Sequence, residues 1–428
     1  MNNIFVRAIF NELEMLRENS WDNIESNLKK YNKQKKEHVF EYKYSIFFKR
    51  VIFNDITLKE INRFLNLKYK NGKVSDYICV KKDEKENSFI IINRKYDKVF
   101  DIDKNIPLID KLELQFRTFT HNPIINLITI YESFIRQLIS YDCFEGNYDI
   151  VKNETIPFEK ILTLNYDEEE IKDYIIKSYC DSKLYGDKKR ILDIVNTLKI
   201  DCNDCVDLMN EFNEIYFRRN MYVHSVYEIT NDYRTLPSSI LDRWIKDGEL
   251  IDTPQYLDHA FDTVYKIFLM LLIKKYLYKQ KDDENLQIIE QIIYEEMYCK
   301  KMYSIAKFGY EQLKNLNWIS KTQRYRYFIN YMHCLKNTDK EMLSKELSKW
   351  DTDTDATIYK LAKKLINNDY KNINSLVNKI LKNENEYEKL KDEEQSLYIL
   401  MEDVATWPIF EDYRATENYK ILKSQFNI

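Results

Sequence analysis

The sequence predicts a mainly α protein, with a four-helix bundle at its centre (residues 120–280), a small mixed α+β domain before it (1–119) and a helical, solenoid-like domain after it (281–428). Two observations carry this. Gly and Pro number only 5 and 6 among 428 residues, far below average usage of roughly 7% and 5%, and these are the residues that tight turns and hairpins need. Beyond Asn122, apolar residues recur at three- and four-residue steps, which places them along one helix face.

The elements follow in order. Helical periodicity runs from Asn3 to Leu28. The run SFIIIN, Ser88 to Asn93, looks like a strand and pairs with DYICV, Asp76 to Val80, across the charged turn KKDEKEN, with a further turn at Asn71-Gly72. The first bundle helix starts near Asn122 with Pro123 in its first turn and Ile124, Leu127, Ile128, Tyr131, Phe134, Ile135 and Leu138 on one face. A second helix spans Glu168 to Tyr179 and leads into a polar, basic loop, Lys183 to Arg190. The third starts near Asn203 and carries Val206, Met209, Phe212, Ile215 and Tyr216 in a stripe. Thr253 and Pro254 read as N-cap and first helical position of the fourth, which runs through Leu257, Phe261, Val264, Ile267, Phe268 and Leu271. After Lys279 the run QKDDEN marks a linker. Ile358 to Leu381 then reads as helix, turn and helix, like a tetratricopeptide unit, a surface suited to a protein partner.

Hydrophobic residues at 44% and charged residues at 32% give the balance of a globular chain rather than a disordered one. A net charge of -4 shows no bulk basicity. An RNA enzyme remains allowed, because its site needs only a local basic surface. The 34 tyrosines follow from an AT-rich coding bias, since stacking platforms are placed by fold and not by overall content. Seven Cys without a framework fit a reducing compartment, so the expected localisation is cytoplasmic. The N-terminal apolar run is broken by Arg7, Asn11 and Glu12, unlike a signal peptide. The most apolar stretch, Ile267 to Ile273, lies between Lys266 and Lys274 and is far shorter than the ~20 residues of a membrane span. No phosphate-cradling glycine loop, HExxH or Ser-His-Asp order is present, so no cofactor and no metal is expected.

The most informative string is EIYFRRNMYVHS, Glu214 to Ser225. On a helix Asn220 and His224 share a face and Arg219 sits on its flank. Arg offers a charged donor fork for phosphate, and His exchanges protons near neutral pH. Together they suit phosphodiester chemistry.

This string resembles the signature of the HEPN superfamily, Arg and a polar residue followed a few positions later by His. Here these are Arg219, Asn220 and His224, preceded by Arg218 and with Val223 just before the histidine. The context is similar as well, over about Asn122 to Lys279: the string Tyr131-Glu132-Ser133-Phe134 on an opening helix, the motif on the third helix and a Pro-initiated last one. The chain departs from the pattern after the histidine, where Ser225, Val226 and Tyr227 stand in place of Asn and a nearby Gly. Tyr227 also lies one residue too far for the modification tyrosine of related toxins. The resemblance implies a HEPN-type bundle acting as a metal-independent endoribonuclease, in which the 2′-hydroxyl of an RNA substrate attacks the adjacent phosphate and leaves a 2′,3′-cyclic end. His224 would be general acid or base, Arg219 would stabilise the transition state and Asn220 would orient the phosphate or the histidine. Arg218, Glu132, Tyr222 and Tyr227 would support the site or bind substrate. It also implies a homodimer that assembles the site from two copies, and a role as effector of bacterial anti-phage defence (abortive infection) or of a toxin-antitoxin system. The competing reading is a catalytically silent HEPN scaffold that dimerises and recruits a protein or RNA partner.

Other residues carry weaker signals. Arg326 and His333 repeat the Arg-to-His spacing on paper, but in the aromatic string RYRYFINYMH, which reads as a packed helix. Cys202 and Cys205 form a lone CxxC with no second pair, read as ordinary buried cysteines rather than half a zinc site. Glu132 is placed either to orient Arg219 or to be solvated, and the basic loop either to steer RNA or simply to face water.

Overall fold

A computed structural model describes residues 6–20, 78–83, 88–93, 98–144, 146, 150–183, 191, 195–196, 198–224, 229–246, 249–350, 356–390, 395 and 397–426, of which 78–118, 144, 182–183, 249 and 384 are described by backbone alone. The expected turn at Asn71-Gly72, Tyr227 and all but the first residue of the basic loop lie outside the described residues. The protein is mainly helical. Among the described residues, no helix is long and apolar enough to cross a membrane. The chain divides into two compact units that do not follow chain order: one holds Met1–Leu13, Leu127–Glu249 and Asp258–Ile428, the other Glu14–Asn126 and Leu250–Leu257.

The smaller unit contains an antiparallel meander of β1 (Ile78–Asp83), β2 (Ser88–Asn93) and β3 (Lys98–Asp101). Val80 faces Ile91 across the first hairpin and Ile91 faces Phe100 across the second. The first pair is the expected hairpin, except that β1 runs on through Lys81–Asp83, which were expected in the turn, while Asp76 and Tyr77 lie outside the described residues; the third strand, KVFD, is too short to announce itself by alternation. In the same unit His121 meets Asp252 at 3.2 Å, and the Thr253 hydroxyl accepts the Tyr256 N–H at 3.3 Å, the N-cap that the sequence implies.

The long helix α2 (Ile102–Phe144), which follows α1 (6–20), corrects one expectation. Pro123, expected in a first turn, lies in the middle of this helix. A mid-helix proline removes one backbone donor and costs ~3 kcal/mol. Here its neighbours Ile124, Leu127 and Ile128 are wholly buried, and at about 1.5–3 kcal/mol for each large apolar side chain their packing outweighs that cost.

In the larger unit follow α3 (Phe158–Thr163), α4 (Glu168–Lys183), α5 (Val206–His224), α6 (Ser238–Trp244) and, from Asp258 onward, α7 (Pro254–Leu272), the last continuing as a π-helix through Ile273–Lys279. Phe268 of α7 is the hub of an aromatic core. It stacks on Phe134 of α2 at 4.2 Å and lies 6.2 Å from Tyr131 and 6.1 Å from Phe10 of α1, while Tyr131 reaches Phe212 of α5 at 4.4 Å. These contacts fix α5 against α2, which is what positions the motif. Arg136 ties α2 to Asp181 of α4 at 2.9 Å.

The carboxyl-terminal part of the same unit is a run of shorter helices: α8 (Asp283–Ile292), α9 (Tyr303–Lys314), α10 (Lys321–Thr338), α11 (Lys340–Lys349), α12 (Thr357–Ile366), α13 (Ile373–Ile380), α14 (Glu384–Tyr387), α15 (Met401–Thr406), α16 (Glu411–Arg414) and α17 (Glu417–Gln425). Helices α12 and α13 form the expected helix, turn and helix, and pack on each other. Polar ties across this region include Tyr413 Oη to Asn374 Oδ1 at 2.7 Å and Lys336 Nζ to Asp412 Oδ2 at 2.6 Å.

Candidate functional site

Helix α5 is held by its apolar stripe: Met209, Phe212, Ile215 and Tyr216 are buried, whereas Val206, counted with that stripe, is exposed at the first turn. Successive residues on a helix diverge by about 100°, so the two adjacent arginines take opposite roles. Arg218 turns inward and is wholly buried. Its Nε donates to Glu214 Oε1 at 2.9 Å, and its terminal nitrogens donate to the Tyr233 hydroxyl at 3.3 Å and the Trp244 carbonyl at 3.5 Å. Tyr233 in turn donates to the same Glu214 oxygen at 2.5 Å. Burial, then the Glu214 carboxylate, pushes the Tyr233 phenol far above its ordinary range. Arg218 is thus the centre of an internal network that pins α5 to the segment after it. Tyr222 lies half-buried beside it, its hydroxyl 3.5 Å from the guanidinium.

Arg219 turns to the flank. Its guanidinium pairs with Glu132 Oε1 on α2, donates to Asn220 Oδ1 at 2.9 Å and lies 5.6 Å from the Tyr216 ring centroid. Glu132 is buried, so its carboxyl is pushed up by desolvation, against which Arg219 and Arg136 pull down without cancelling it. The mid-helix glutamate is therefore turned to Arg219 and not to solvent. His224 ends the helix, with its side chain exposed and no hydrogen bond to any described residue. The arrangement brings together Arg219, Asn220 and Glu132 as one cluster and leaves His224 one turn further on, open to solvent.

The remaining candidates are placed elsewhere. Cys202 and Cys205 are buried, free thiols pushed up by desolvation to about 11 and about 12. Among the described residues no group of three or more His, Cys, Asp or Glu converges as a metal site would require. His333 is buried, shares a 2.8 Å hydrogen bond with the Tyr298 hydroxyl, and is driven down to about 4 by desolvation and then by Lys336. Arg326 instead lies largely exposed in a cleft, so the two do not form one acid–base site.

Two clusters escaped the sequence. The Glu214–Arg218 spacing of four was visible, but Tyr233 comes from a single 3-10 turn and Trp244 from the end of the short helix α6, neither of which carries a periodic signal. Likewise Glu211 on α5 joins Arg243 of α6 at 2.7 Å and His259 of α7 at 2.9 Å. Burial raises the Glu211 carboxyl, but the bonds from His259 and Arg243 outweigh it and hold it below the ordinary range.

Set against known proteins, the chain matches no family model, no curated protein and no solved structure.

Proposed function

We propose that the protein is a metal-independent HEPN-type endoribonuclease whose site is built on Arg219, Asn220 and His224. The observation that supports it is the pairing of a tethered cation with an open histidine: Arg219 is held by Glu132 and Asn220, while His224 stands exposed at the helix end. A preorganised guanidinium suits an anion in the transition state, because no reorganisation is needed as charge develops. A solvent-reachable imidazole suits proton transfer to a bound ligand. In this reading the ribose 2′-hydroxyl loses its proton to one imidazole and attacks phosphorus, the 5′-oxygen leaves with a proton from a second imidazole, and Arg219 stabilises the phosphorane. Two acid–base groups are needed and each chain supplies one His224, so the site forms in a homodimer. Cutting RNA in this way fits an effector of anti-phage defence or a toxin. The decisive experiment follows RNA integrity in cells expressing wild type beside His224→Ala; intact RNA under wild type would sink the proposal.

One observation favours a second reading. The Arg219 guanidinium is already engaged by a buried carboxylate, and only 16% of its side chain is open to solvent. A bundle that dimerises without catalysis would keep such a pair as a structural lock. Under that reading RNA remains intact, and a protein partner is recruited through the carboxyl-terminal helices.

A further inference from the structure

Away from the α5 motif, a half-open cleft lies within the carboxyl-terminal helices. It is walled by Tyr294, which follows α8, by Tyr387 at the end of α14, and by Tyr398 and Trp407 on either side of α15. The cleft is open on one side, and its empty space, adjoining solvent included, is about 600 Å³. Arg326 of α10 stands in this cleft with 57% of its side chain reached by solvent. Its nearest carboxylate, Glu290, is 3.8 Å away, too far for a hydrogen bond, and none of its five donors bonds to a described residue. Glu290 spends its other oxygen, Oε2, on the Tyr327 hydroxyl, which donates to it at 2.8 Å. A guanidinium without hydrogen bonds inside a concave aromatic wall is a donor fork waiting for a planar or tetrahedral anion. Asp403 on the same wall spends one oxygen, Oδ2, on the Leu400 N–H at 2.7 Å, capping α15. Its other oxygen is left to accept from an amine edge.

We propose that this cleft binds a nucleoside monophosphate, with the base against the tyrosine and tryptophan faces, the phosphate on Arg326 and a base amino group on Asp403. Each part has its reason. Aromatic faces take any base by stacking, at about 1–3 kcal/mol. The Arg fork matches phosphate oxygens two at a time. A peptide carboxylate would satisfy Arg326 but would leave several aromatic faces and the Asp403 acceptor unused. The site is independent of the ribonuclease reading.

The test is calorimetric titration of the full chain with adenosine, guanosine, cytidine and uridine monophosphates, the matching nucleosides, and inorganic phosphate alone. At least one monophosphate is expected to bind about tenfold or more tighter than its nucleoside. Arg326→Gln should erase that difference, and Arg326→Lys should keep part of it. Tyr387→Ala should weaken nucleoside and monophosphate alike, and it carries the test if Arg326→Gln fails to fold. Saturation by none of the monophosphates, equal affinity for inorganic phosphate alone, or unchanged binding in both Arg326→Gln and Tyr387→Ala would overturn the proposal.

Discussion

Glu132 and Arg219, 87 positions apart in sequence, form an ion pair that joins α2 to the motif end of α5. The glutamate is buried and its carboxyl sits above its ordinary range despite the guanidinium. A carboxyl whose folded pKa exceeds its unfolded value contributes stability that is complete at low pH and lost as pH rises through the folded pKa. The melting temperature of wild type relative to Glu132→Gln is therefore expected to fall as pH is raised from about 4 to about 7. Thermal melts of both proteins across that window check it; a difference that grows with pH would show the ion pair dominating desolvation.

Arg218 and Glu214 are both wholly buried and satisfied by each other and by Tyr233. Removing one partner strands the other's charge, which typically costs about 3–5 kcal/mol. Arg218→Leu should lose stability of that order in urea unfolding, and the Arg218→Leu/Glu214→Leu double variant should recover a large part of it. A single variant as stable as wild type would mean that the network contributes nothing.

His333 is a buried base with its pKa driven to about 4, below the ordinary 6.5. A depressed folded pKa contributes stability above the unfolded value, and that contribution is lost as pH falls toward the folded one. Between about pH 6.5 and about pH 4 this single group accounts for acid destabilisation on the order of 3 kcal/mol. His333→Phe is expected to flatten the acid limb of a stability–pH curve, even if it lowers stability at neutral pH by removing the Tyr298 hydrogen bond.

The helices were legible where periodicity is long. The stripe of α2 from Ile124 to Leu138 is buried throughout, and the Thr253 cap is present, because both are local consequences of spacing and capping chemistry. Pro123 misled, since proline marks a helix start only when packing on both sides does not carry the helix through it. The Arg219, Asn220 and His224 string was visible as chemistry, but not the choice between a solvated Glu132 and one bound to Arg219. That choice depends on how α2 meets α5 through Tyr131 and Phe212, a contact spanning 81 positions that no local pattern encodes. The Arg326 cleft is not legible for the same reason: its walls come from segments spread between Tyr294 and Trp407.

If His224 residues of two copies complete one site, cleavage should depend on assembly. Specific activity is then expected to fall on dilution in step with dimer dissociation measured by sedimentation. A mixed dimer of His224→Ala and wild-type chains should be impaired like the double loss. Full activity from a strictly monomeric sample would contradict the two-copy site.

The chemical prediction rests on where the two groups sit. His224 is exposed and makes no hydrogen bond to a described residue, so His224→Ala should melt like wild type while cleavage drops by ~10²–10⁴, the usual cost of losing a general acid or base. Arg219→Ala needs a control that His224→Ala does not, because it strands the buried Glu132 carboxylate. Arg219→Ala combined with Glu132→Gln removes that charge, and it too should be inactive if Arg219 acts on the phosphate. Activity restored in the combined variant would instead assign Arg219 a purely structural task. Cleavage is expected to persist in EDTA, the products should carry 2′,3′-cyclic phosphates, and a 2′-deoxy substitution at the scissile nucleotide should block the cut. The deoxy substrate is the sharpest of these readouts: it removes the attacking oxygen while leaving every contact to the phosphate in place, so cutting at an unchanged rate would exclude the proposed attack whatever the alanine variants do.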